Sequence, residues 1–242
     1  MMKHLGVLTY EIHGEERLNR GGQLVLANHP SLIDVVFLIS RIRQATCIVK
    51  HSLWRNPFTR GPVMNAGYIS NSDPEKMVQD CVDTLRGGDN LIIFPEATRT
   101  VPGRPYDFQR GAANIALRAA PIVTPVTILC YPTTLTKSEK WHQIPWKRVH
   151  FRLYVGDDLD LSPFLTDGAT PLAVRGFTDY LRDYFTRATG RTAHGDAAAP
   201  PEAGPAHAYT ATAPDCRATG RPDTLPQGNR RSTEGRGEET GN

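Results

Sequence analysis

Short apolar runs of strand length alternate along this chain with segments of helical period, and few architectures satisfy that pattern. Gly6–Ile12, Gln23–Ala27, Thr46–Lys50, Gly67–Ser70, Leu91–Phe94, Thr124–Leu129 and Val149–Val155 read as strands. Leu91–Phe94 is apolar throughout and predicts a buried strand, whereas Val149–Val155 alternates and predicts an outer one. Asp34–Ile39 predicts a strongly apolar helix, with Pro30 suited to its first position because a missing N–H costs nothing there. Asp73-Pro74-Glu75 reads as a helix start, with Asp as cap, Pro next and an acid in the first turn. Met77, Cys81, Val82 and Leu85 follow at helical spacing, and Gly87-Gly88 predicts the end. Gly111–Ala120 is small and apolar, which predicts a helix that packs closely. Thr170–Arg187 predicts an amphipathic helix with Val174, Phe177, Tyr180, Leu181 and Tyr184 on one side. The expectation is a single α/β domain with a mostly parallel or mixed central sheet flanked by helices.

A hydrophobic content of 39% suffices for one sizeable core, but it is unevenly spread. From Gly190 to Asn242 the only large apolar residues are Tyr209 and Leu225. Such a segment buries too little surface to offset its ordering entropy. The expected division is therefore a folded domain over residues 1–189 and a disordered Ala/Pro/Gly/Thr-rich tail over 190–242, whose removal should leave activity intact. Cys47, Cys81, Cys130 and Cys216 lack CxxC spacing, so neither a zinc site nor a disulfide framework is suggested and a reducing cytosol fits best. The apolar runs fall short of the ~20 residues of a spanning helix, so membrane contact is expected to be peripheral. A net charge of +3 is too small to argue for a nucleic-acid partner, and none is expected. Its distribution is more telling. Val35–Ser72 holds no acid but carries Arg41, Arg43, Lys50, Arg55 and Arg60; Lys140–Gly156 holds none and carries Lys140, Lys147, Arg148 and Arg152. Such stretches are either solvated faces or sites for an anionic partner, be it a phospholipid surface, a phosphorylated substrate or an acidic carrier protein.

Two polar segments each follow a strand-like run. In Asn28-His29-Pro30-Ser31-Leu32-Ile33-Asp34 a histidine precedes an aspartate by five residues. Asp34 on a second helical turn can reach back to one ring nitrogen, fix the tautomer and stabilise the charge formed when the other nitrogen takes a proton. The positive end of the expected helix would disfavour an imidazolium. The plainer alternative is a capping histidine neutralised by the acid. No Gly-x-Ser-x-Gly elbow occurs and no cysteine sits in a reactive setting, so the nucleophile is expected to be a substrate hydroxyl. In the second segment, Phe94-Pro95-Glu96-Ala97-Thr98-Arg99-Thr100, Arg99 offers a planar fork suited to phosphate and Thr98 adds a donor. Glu96 either holds an acceptor hydroxyl or braces Arg99, and the plainer alternative is a Glu–Arg pair closing a loop.

His29-x4-Asp34 after Asn28, Phe-Pro-Glu-x-Thr-Arg at 94–99 and Pro121-Ile122-Val123-Thr124-Pro125-Val126, in that order, resemble the glycerolipid and lysophospholipid acyltransferases over about residues 10–160. The best-known members of that family convert 1-acylglycerol-3-phosphate to phosphatidate. The resemblance implies a glycerolphosphate acyltransferase-like fold, His29 as base, Asp34 as its partner, and Glu96 and Arg99, with Thr98 beside them, as acceptor-binding residues. It also implies an acyl-CoA or acyl carrier protein donor, a lysolipid acceptor, no acyl-enzyme intermediate, and no metal or redox cofactor. The expected location is the inner face of the cell membrane. Phe108-Gln109-Arg110-Gly111 resembles the family segment after the Glu–Arg motif, which helps close the acceptor pocket, and is read as structural.

Three departures from the family pattern stand out. Ala97 occupies a usual glycine position, where a left-handed backbone would be costly. Gly67-Tyr68-Ile69-Ser70-Asn71 lacks the arginine that the family uses for glycerol phosphate, and the chain starts almost at its first strand without the family's hydrophobic N-terminal region. The first implies a differently shaped loop; the second keeps a non-glycerol acceptor open, such as a polyketide, polyene or ornithine-type lipid, and a non-catalytic lipid-binding module is the reading from another class. His51–Arg60 and Lys137–Arg148 interleave aromatics with bases, as suits a membrane headgroup layer.

Overall fold

β2 (Gln23–Ala27) is buried along its whole length, and its side chains divide between two cores. Leu24 and Leu26 join one apolar cluster, Val25 and Ala27 the other. A strand covered on both faces requires that division, because successive side chains point opposite ways. The computed structural model describes residues 8–52, 61, 63–119, 122–137, 139, 145–165 and 168–191. Within them β1 (Leu8–His13), β2, β3 (Ala45–Val49), β4 (Ile69–Ser70), β5 (Asn90–Ile93), β6 (Ile122–Tyr131) and β7 (Val149–Val155) form one sheet, ordered β1-β7-β6-β2-β5-β3-β4. The β6–β7 pair is antiparallel and every other pair is parallel. The α/β architecture with a mixed central sheet is therefore as expected.

Three helices, α2 (Pro74–Arg86), α3 (Arg110–Ala119) and α4 (Pro171–Ala188), pack with Leu24, Leu26, Leu91 and Ile93 on one side of the sheet. On the other side α1 (Asp34–Ile39) sets Phe37 against Phe151, with ring centroids 4.9 Å apart, and against Tyr10 at 5.3 Å. Asp73 caps α2 as expected, its carboxylate accepting the N–H groups of Glu75 and Lys76.

Two local expectations are corrected. α1 begins at Asp34, not at Pro30, so His29 is no helix cap and the argument from the helix end does not apply to it. The residues before Asp34 instead form a tight turn, shaped by the Asp34 carboxylate. β7 is not an outer strand; it lies between β1 and β6. Its alternating burial reflects one covered face and one half-covered face, which is a matter of layers rather than of place in the sheet. Three expected features lie wholly or partly outside the described residues: the aromatic and basic residues at 53–60, positions 138 and 140–144 of the second such stretch, and the tail from 192 onward.

β2 and β6 diverge after Ala27, and Asn28 bridges the gap with its side chain. Its Nδ2 donates to the Ile128 carbonyl at 2.8 Å, and its Oδ1 accepts the Ile128 N–H at 2.7 Å. The amide thus stands in for a backbone unit, extending the ladder to the residue before His29.

Candidate active site

His29 follows immediately, where the chain leaves the C-terminal end of β2. In the turn that follows, Asp34 Oδ2 accepts the Ser31 N–H at 2.7 Å and lies 3.1 Å from His29 Nδ1. The Asp34 side chain has no solvent exposure, while His29 keeps 13%. Phe94, at the end of β5, stacks on the imidazole with centroids 4.2 Å apart and an interplanar angle of 27°. Because Asp34 can only accept when ionised, the geometry assigns the proton to Nδ1. Nε2 is then the basic nitrogen, and it has no partner among the described residues. Burial pushes the Asp34 carboxyl above the usual carboxylate range, against the pull of the His29 and Ser31 hydrogen bonds and the His29 charge. Its Oδ1 is buried without a hydrogen-bond partner, a costly arrangement of the kind found where a group is held for chemistry.

The second polar segment meets the first directly. Ala97 N–H donates to Phe94 O at 2.9 Å, closing a turn at the end of β5. Ala97 has φ 51°, so the left-handed backbone is kept even though alanine stands there. Glu96 Oε1 accepts the His29 N–H at 3.0 Å and the Thr100 hydroxyl at 2.6 Å. Thr100 N–H in turn donates to His29 O at 2.7 Å. Both backbone groups of His29 are thus bonded to the Glu96–Thr100 loop. Burial raises the Glu96 carboxyl, opposed by the Thr100 and His29 hydrogen bonds and by the nearby charges of Arg191 and His29.

Arg99 takes another direction. Its Nη1 donates to the carbonyls of Leu135 and Thr136 at 2.8 and 2.9 Å, leaving the rest of the fork without a partner among the described residues. No Glu96–Arg99 ion pair forms, so Glu96 does not brace Arg99, and the plainer reading of a loop-closing pair does not hold. Thr98 is half-buried, with no hydrogen bond from its hydroxyl among the described residues. His29, Asp34 and Glu96 therefore come together, while Arg99 reaches the loop after β6. Sequence reasoning assigned no role to Thr100, Phe94 or the Asn28 amide; a buried polar residue closely following an apolar strand was the only available signal. Burial raises the thiols of Cys47 to about 11 and of Cys81 and Cys130 to about 12, so none supplies a thiolate at neutral pH.

The family model described as "Acyltransferase" matches residues 9–129, which hold both polar segments. The chain belongs to the acyltransferase family. Among relatives, the chloroplastic 1-acyl-sn-glycerol-3-phosphate acyltransferase of Arabidopsis thaliana is 28% identical over 109 residues, covering 43% of this chain and 31% of the relative. The 1-acyl-sn-glycerol-3-phosphate acyltransferase of Helicobacter pylori is 28% identical over 116 residues, 45% of this chain and 49% of the relative. That of Saccharomyces cerevisiae is 31% identical over 140 residues, 53% and 45%. The matched part thus spans a third to a half of these relatives' length. The crystal structure of the 1-acyl-sn-glycerophosphate acyltransferase from Thermotoga maritima superposes with a TM-score of 0.54 at 19% identity, covering 76% of this chain and 74% of the other. That likeness concerns the fold of the acyltransferase chain.

Proposed function

We propose that this protein transfers a fatty acyl group from an acyl thioester to the hydroxyl of a lysophosphatidate-like lysophospholipid. The observation that carries the reading is the His29–Asp34 pair at 3.1 Å, with the carboxylate fully buried and Nε2 free. In this reading Nε2 removes the proton of the acceptor hydroxyl as its oxygen attacks the thioester carbonyl. Asp34 steadies the imidazolium that results. The tetrahedral intermediate collapses with cleavage of the C–S bond, and the departing sulfur takes the proton back from Nε2. No acyl-enzyme forms. Arg99, through its unused guanidinium nitrogens, and Thr98 bind the acceptor phosphate. Glu96 holds the His29 backbone through Oε1 and offers Oε2 to the acceptor.

The donor is acyl-CoA or acyl carrier protein, and the reaction runs at the inner face of the cell membrane with the protein bound peripherally. Trp146 is 99% exposed, with Lys147 and Arg148 exposed next to it, while Leu32 and Val36 are exposed beside the His29 turn. This mixture suits a headgroup layer, and no helix among the described residues is long and apolar enough to cross a membrane. The acyltransferase domain of this reading runs to the end of α4, with the remainder as a tail. The test is a matrix assay with both donor types against lysophosphatidate, other lysophospholipids and lyso-ornithine lipid, products being read by mass spectrometry. Phosphatidate formation that is lost in His29→Ala supports the reading. No product with any pair, or equal product from His29→Ala, overturns it.

A further inference from the structure

The end of α4 reaches the candidate site, and one cation there lies within the segment expected to be tail. Gly190, at φ 66°, turns the chain back after the helix. Its N–H donates to Arg187 O at 3.0 Å, and the Arg191 N–H donates to Thr186 O at 3.0 Å. These two bonds are those of a Schellman motif, which fixes the backbone of Arg191 two residues beyond the helix cap. From there Arg191 Nη2 donates to Val101 O at 2.9 Å and Arg104 O at 2.7 Å. The guanidinium lies 4.7 Å over the ring of Tyr106, whose hydroxyl donates to Thr189 Oγ1 at 3.4 Å. The Arg191 Nε is buried without a hydrogen-bond partner.

Val101 is the next residue after Thr100, and Thr100 holds both His29 O and Glu96 Oε1. The path from the helix end to the imidazole therefore runs through three short links. We propose that Arg191 is a positioning residue of the acyltransferase site, clamping the loop that carries Thr100 and setting a positive charge before the buried Glu96 carboxylate. The proposal rests on the reading of His29 as the base. It assigns to a residue that touches no substrate the task of holding the Thr100 loop and favouring the charged form of Glu96 against the burial that disfavours it. Among the described residues, the titratable and charged groups that interact electrostatically with Glu96 are the His29 ring, the Arg191 guanidinium and the Tyr106 phenol. Only Arg191 among them bears a positive charge at every working pH.

The test compares full-length wild type, Arg191→Gln and Arg191→Lys, each also in a Glu96→Gln background. Thermal melts are recorded from pH 4 to 8, together with pH–rate profiles using acyl-CoA and lysophosphatidate. A buried carboxyl with a raised folded pKa costs stability as pH rises from its unfolded value through its folded one. Loss of the Arg191 charge raises Glu96 further, so in Arg191→Gln that decline extends upward by roughly half a pH unit or more. The same displacement appears in the acid limb of kcat/KM, Arg191→Lys restores most of it, and the Glu96→Gln background abolishes it. A uniform loss of stability in Arg191→Gln, with the pH dependence unmoved or equal in both backgrounds, would reduce Arg191 to a loop staple and overturn the proposal. The melts decide this without turnover, so a failed acyltransferase reading and a failed Arg191 proposal give different results.

Discussion

At the scale of single residues, the site is organised around an imidazole whose two nitrogens have unlike surroundings. Asp34 takes Nδ1, and nothing among the described residues takes Nε2. Asp34 Oδ2 makes both the Ser31 and the His29 contact, so Asp34→Asn with its amide oxygen there should keep both but lose the negative charge that steadies the imidazolium. kcat should then fall by ~10²–10⁴-fold. The same variant should gain stability at neutral pH. Burial holds the Asp34 carboxyl above its unfolded value, so the native state binds the extra proton between those values and stability falls as pH rises through them. The gain in Tm over wild type should therefore grow as pH rises through the carboxylate range and persist above it. Ala97 offers an independent check. It is exposed and left-handed, so Ala97→Gly should raise unfolding free energy by about 0.5–1 kcal/mol in denaturant melts with activity unchanged. His29, Asp34, Glu96 and Arg99 were legible in the sequence because ionisable residues closely following apolar strands are unusual. The His29–Asp34 contact was legible as well, but the wiring of Glu96 and Arg99 was not. Whether Glu96 meets Arg99 or Thr100 depends on the left-handed turn at Ala97, and a sequence does not announce a left-handed alanine.

At the scale of elements, the decisive joint is where β2 and β6 part. The Asn28 amide satisfies both backbone groups of Ile128, which is itself buried. Asn28→Ala should leave that N–H and carbonyl unpaired and cost about 2–4 kcal/mol in chemical denaturation. Loss of His29 placement should accompany it, seen as reduced kcat rather than raised KM. The periods of two and 3.6 located almost every strand and helix to within a residue or two, since apolar spacing reports directly on buried faces. They misplaced the start of α1, where a carboxylate turned back on Ser31 and His29 replaces the expected helix turn. They also ranked β7 as outer, because alternation records covered faces and is silent on strand order.

At the scale of the whole molecule, the sheet presents the ends of β2 and β5 side by side through direct parallel pairing, and both polar segments issue from those ends. Two predictions belong here. Trp146→Ala should weaken co-sedimentation with vesicles rich in anionic phospholipid, by more than the loss produced by substituting a buried-face residue such as Thr178. A chain cut after Gly190 should lose activity that a chain cut after Arg191 keeps, because only the latter retains the closed Schellman turn and the Arg191 guanidinium. The account as a whole depends on His29 Nε2 drawing a proton from the acceptor hydroxyl. The most direct test is turnover of acyl-CoA and lysophosphatidate by His29→Ala, with its fold verified by an unchanged melting transition. The account predicts a fall in kcat of at least ~100-fold. A folded His29→Ala protein that retains turnover within a few-fold of wild type would contradict it.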